Sequence, residues 1–184
     1  ISFFFNLYKY RDLIYMFVKR DFVTFYKQTI LGPLWYIVQP LVNTLVFTVI
    51  FGNLAKLPTD GLPPFIFYMA GNVIWAYFAA CLNLTSNIFV ANAGLFGKVH
   101  FPRLTVPIAN VIISLLQFAI QFIIFTLFLM YFIYSGSDIT LSFNVLYLPL
   151  ILFYVAFASL GFGMLISAIT AKYRDLTFAM SFLI

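Results

Sequence analysis

The sequence predicts an all-α polytopic membrane protein: an N-terminal amphipathic helix lying in the membrane interface, then four complete transmembrane helices and the start of a fifth. Two observations lead there. Apolar residues make up 64% of the 184-residue chain and charged residues only 8%, whereas soluble domains carry about 25% charged side chains to hydrate their surfaces. The charges are also clustered, so that residues 28–55, 61–97, 104–137 and 139–171 contain no acid or base. Each run exceeds the roughly 20 residues that a helix needs to cross a hydrocarbon core about 30 Å thick. The single cysteine, Cys81, excludes a disulfide-stapled fold, and with His100 the only histidine no metal site is expected.

Residues 1–33 form the first unit. Half of the basic residues sit there, with Lys9, Arg11, Lys19, Arg20 and Lys27 interleaved among Leu7, Tyr10, Ile14, Phe17 and Phe22. That spacing places apolar residues on one helical face and is too often interrupted for a span. The expected arrangement is a helix in the headgroup plane, its rings in the acyl boundary and its cations near anionic lipid. Leu31, Gly32 and Pro33 then end it, because proline removes a backbone donor and disfavours helix in the residue before it.

Residues 34–184 form the transmembrane unit. The first span, 34–55, extends about 33 Å at 1.5 Å per residue, with Trp35 and Tyr36 as interfacial anchors and Pro40 as a bend. A loop rich in proline and glycine follows. The later spans are expected at 65–91, 108–134 and 145–171, with a fifth at 176–184 cut short. The chain opens at Ile1 without methionine and stops in an apolar stretch, as expected of a piece of a longer protein; no cleavable signal peptide is visible.

Nine of the ten Lys and Arg residues fall on the side of the N-terminus and only Lys56 on the other, which predicts a cytoplasmic N-terminus. The spans hold no ionisable group of the kind that proton relays and ion-coupled carriers use, and no phosphate-binding P-loop is present. Energy for active transport would have to come from a partner.

The spans do carry neutral polar stripes. Asn110, Ser114, Gln117 and Gln121 stack on one face of the third. Phe118, Phe122, Phe125 and Phe132 occupy another. Asn72, Ala76, Asn83 and Asn87 mark the second span, Gln39 and Asn43 the first. Amides and aromatic rings suit a sugar-containing passenger, the amides bonding its hydroxyls and the rings stacking on its C–H faces. The same groups also serve simply to bridge helices. In the fourth span Ser159, Gly163 and Ser167 form a small-xxx-small series that signals close helix packing. His100 has no carboxylate nearby in sequence, and Asp12, Asp21 and Asp175 each neighbour a base, so ion pairing accounts for them better than catalysis.

Three segments carry a family resemblance. KRDFVTFYKQTILGPLWYIVQP at 19–40, KVHFPRLTVP at 98–107 and AKYRDL at 171–176 resemble, in order and position, the approach to the first span and two cytoplasmic loops of the membrane subunits of ABC-2 type polysaccharide exporters. His100 departs from the tyrosine more usual at its position. The resemblance implies a homodimer of six-span subunits in the bacterial cytoplasmic (inner) membrane. It implies two copies of a separate ATPase, which bind ATP and Mg, and export of a lipid-linked polysaccharide such as O antigen or teichoic acid. It implies no catalysis on this chain and no nucleic acid. Carried onto matching positions, it makes Lys19, Arg20, Asp21, Lys98, His100 and Arg103 the surface that receives motion from the ATPase, and Leu31 and Gly32 the mouth where substrate enters. The channel-lining candidates are Gln39, Asn43, Asn110, Ser114, Gln117, Gln121, Phe118 and Phe122. An ABC-2 exporter of a drug or lipid is the first alternative, and a membrane-embedded glycan or lipid enzyme the second.

Overall fold

The computed structural model describes residues 10–27, 34–92, 94, 102, 104–137, 139, 143–170 and 172. Among them every regular element is helical. Helix α1 is Arg11–Lys27, α2 is Trp35–Phe47, α3 is Pro64–Ser86, α4 is Thr105–Tyr134 and α5 is Leu148–Thr170. A π-helical segment, Thr48–Leu54, continues α2, and a short 3-10 segment, Phe143–Tyr147, leads into α5. Four helical stretches are long and apolar enough to cross a membrane, and the chain is an all-α, multi-pass membrane protein. The Leu31–Gly32 turn, the loop from Lys98 to Arg103 and the fifth span lie outside the described residues.

Local chemistry sets the ends of these helices. Pro64 opens α3 at a position where its missing N–H is one that the first turn leaves unpaired anyway. The π segment closes through Ala55 N–H donating to the Ile50 carbonyl at 2.8 Å and Leu57 N–H to that of Phe51 at 2.9 Å, with Lys56 left-handed at φ 51°. Gly136, at φ 89°, ends α4 in the same left-handed region, which glycine enters without steric cost. With 30 residues, α4 is about 45 Å long at 1.5 Å per residue, so it tilts or projects beyond the hydrocarbon.

Helix α3 is the centre of the bundle, packed against α2, α4 and α5. Its Met69, Val73, Tyr77 and Cys81 form the core with Phe118 of α4 and Ala156 of α5. The α3–α5 contact is the most extensive, because α5 presents its small residues there. A Cβ added at Gly163 would lie 2.6 Å from Thr85 Cβ, so the two backbones approach closer than any side chain allows. Helix α3 breaks at Asn87, and a one-turn helix, Ile88–Ala91, follows. The Phe89 N–H at that break donates to Ser167 Oγ at 3.3 Å.

Helix α1 docks on the bundle instead of presenting its whole apolar face to lipid. Phe17 is buried against Ile88, Val106 and Ala109, with Leu13, Ile14 and Val18 around it. Phe17, one of the rings expected in the acyl boundary, is instead covered by Ile88 and the start of α4. Tyr15 and Met16 are exposed instead.

Candidate functional site

A polar groove of about 380 Å³ opens where α2, α3 and α4 diverge. Helix α2 supplies Tyr36, Gln39 and Asn43, α3 supplies Asn72, Trp75 and Asn83, and α4 supplies Gln117 and Gln121. Residues 76, 79, 80 and 83 share one face of α3 by helical spacing, and three of them are alanine, which leaves the room that the groove occupies. The α2 members run over about 10 Å of helix at 1.5 Å per residue, from near its start towards mid-span.

Two amide bridges build the groove wall. Gln117 Nε2 donates to the Tyr36 hydroxyl at 2.9 Å, tying α4 to α2. Asn72 Nδ2 donates to the Pro40 carbonyl and to Thr44 Oγ1, both at 3.3 Å, tying α3 to α2. The second bridge meets α2 at its proline, where Thr44 Oγ1 also donates to the Pro40 carbonyl at 2.7 Å; threonine back-bonds of this kind accompany bent helices. Gln121 is nine-tenths buried, and its Oε1 accepts no hydrogen bond among the described residues. A buried acceptor in that state is costly until a donor reaches it.

Of the residues expected to line a channel, Gln39, Asn43, Gln117 and Gln121 meet in this groove. Asn110, Ser114, Phe118 and Phe122 do not. Asn110 Nδ2 donates to the Leu84 carbonyl at 2.9 Å and Ser114 Oγ to the Asn110 carbonyl at 3.0 Å, both residues buried where α4 meets α3. They share a helical face with Gln117 and Gln121, so height decides the difference: this end of the face lies against α3, and the groove begins farther along. Phe118 packs on Tyr77, with ring centroids 5.4 Å apart, and stacks on Phe122 at 5.5 Å, so Phe118 is a core aromatic and the half-buried Phe122 packs against it. Sequence reasoning passed over Trp75, Ala79 and Ala80 as groove residues; the small residues at 76, 79 and 80 were the available signal.

On α1, Lys19 and Arg20 are exposed. Arg20 Nε donates to Asp21 Oδ1 at 2.6 Å, and its guanidinium lies 5.0 Å from the centre of the Phe17 ring. The coupling candidates Lys98, His100 and Arg103, like Leu31 and Gly32 of the expected substrate mouth, fall outside the described residues. At the other end of the bundle, an apolar cavity of about 950 Å³ is walled by Phe47, Phe51, Phe67 and Leu129 and shares Asn72 and Trp75 with the groove.

These features define a polytopic membrane protein with a neutral, amide-lined cleft among its spans. The chain belongs to the ABC-2 type transporter family, whose model matches residues 12–184. It is 29% identical over 165 residues to the O-antigen export system permease protein RfbA of Klebsiella pneumoniae, covering 90% of this chain and 61% of the relative. It is 25% identical over 177 residues to the protein of the same name from Myxococcus xanthus, covering 96% of this chain and 65% of the relative. The chain therefore spans less than two thirds of the length of these relatives.

Proposed function

We propose that this chain is the channel-forming part of an ATP-driven exporter that moves a lipid-linked polysaccharide across the bacterial cytoplasmic membrane. The observation that carries the reading is the groove: amides and an exposed indole gathered at membrane depth, in spans without a charged residue. Such a face does not choose lipid, and it suits a passenger rich in hydroxyls. The names of the relatives point to the same class of passenger.

In this reading two copies enclose the polymer path, and the N-terminus is cytoplasmic. A separate pair of ATPase subunits binds ATP and Mg and ratchets the polymer outward. Helix α1, through Lys19, Arg20 and Asp21, and the loop with Lys98, His100 and Arg103 receive its motion, while Leu31 and Gly32 stand at the mouth. The docking of Phe17 on α4 supports the α1 assignment, because a helix packed onto a span transmits displacement to it.

The test is reconstitution of the full-length permease with a P-loop ATPase from the same cell. The expected result is stoichiometric co-purification, together with ATP-dependent passage of a lipid-linked glycan that stops when the permease is omitted. ATP-driven transport of small amphiphiles in its place, with no polymer crossing, would move the protein to the drug or lipid exporters.

A further inference from the structure

We propose that the groove between α2, α3 and α4 is a binding station for uncharged sugar residues, accepting neutral glycan repeats and turning away anionic ones. This rests on the groove being part of the polymer path, and it adds the substrate class that the path admits.

The argument is chemical. Gln39, Asn43 and Asn83 are exposed to the groove, and among the described residues no acid, amine, guanidinium or imidazole lines it. A carboxylate or phosphodiester brought there loses hydration without gaining a counter-charge, and an unpaired ion at membrane depth is strongly disfavoured. A sugar hydroxyl can donate to the exposed amide carbonyls of Gln39, Asn43 and Asn83 and accept in turn from their N–H groups. A carboxylate or phosphodiester can take the same amide N–H donors, but it brings a formal charge that no described lining residue balances. Trp75, half exposed on the same wall, offers a flat ring for the C–H face of a pyranose. Together these select for hydroxyls and against formal negative charge.

The experiment uses the full-length permease with its ATPase in proteoliposomes and two lipid-linked polymers of equal length. One is a neutral hexose polymer, and the other carries one uronic acid per repeat. The neutral polymer should be exported at least about tenfold faster. Asn83→Leu should slow the neutral polymer several-fold, and Gln39→Lys or Asn43→Lys should shift the ratio towards the uronate polymer. Equal export of both polymers, or a ratio that neither lysine variant moves, overturns the proposal. If the lysine variants fail to assemble, equilibrium binding of neutral and uronate oligosaccharides to the unsubstituted complex decides, and equal affinity rejects the proposal. Export of neither polymer by an ATPase-bound, hydrolysing complex is a different failure: it removes the polymer path itself, and this assignment with it.

Discussion

At Gly163 α5 leaves no room for a side chain against α3. An added methyl would meet Thr85 Cβ at 2.6 Å and Cγ2 at 2.7 Å. Gly163→Ala is therefore expected to lower stability by about 1–3 kcal/mol, the usual range for overpacking, read as a lower denaturation midpoint in detergent. Thr85→Ala removes only the farther of the two contacts and should rescue it poorly; Thr85→Gly should rescue it better. The small-residue spacing announced a close approach, because a series at every fourth residue forms a flat strip on a helix. It did not name the partner, since nothing in the strip distinguishes one neighbouring helix from another. The amide stripes were ambiguous for the same reason. Asn110 and Gln117 look alike in the sequence, yet one is spent on the Leu84 carbonyl and the other frames the groove.

Among the helices, α1 and α2 are the two whose attachment is most easily tested. Phe17 anchors α1 on Ile88, Val106 and Ala109, and truncating a buried phenylalanine costs about 3–5 kcal/mol. Phe17→Ala should raise hydrogen exchange across α1, while leaving that of α3 unchanged. If α1 exchanges no faster, Phe17 is not its anchor. The first span has few other holds, with only 11% of its apolar window buried, so the Asn72 bridge at Pro40 matters for its position. Asn72→Leu should weaken the α2–α3 contact by about 0.6 kcal/mol and at most about 1.7, the mean and maximum for hydrogen bonds between membrane helices. The check is faster exchange in residues 41–50. The end of α2 was legible in advance, marked by the proline- and glycine-rich loop around residue 60. The π-helical continuation of α2 was not legible, since one extra residue per turn leaves no trace in composition.

For the whole molecule, nine basic residues against one predict a cytoplasmic N-terminus. Asp60→Cys should react with a membrane-impermeant maleimide in intact cells, and Lys19→Cys only after permeabilisation. Native Cys81 is fully buried and should stay unlabelled in both conditions, which gives the experiment an internal blank. The reverse pattern would invert the protein in the membrane and remove α1 from the reach of a cytoplasmic ATPase.

By itself the sequence determined that this is a bundle of membrane helices and how many described spans it contains, though it ran the second span unbroken to residue 91, where the helix breaks at Asn87. Those properties depend on hydrophobic run length, turn residues and the cost of burying charge, all of which act locally along the chain. Only the tertiary structure decided which amides form the groove, that Phe118 belongs to the core, and that α1 rests on α4. These depend on how far apart neighbouring helices stand at a given height. That distance comes from packing between residues remote in sequence, such as Gly163 against Thr85, and the alanines at 76, 79 and 80 beside the amides of α2 and α4.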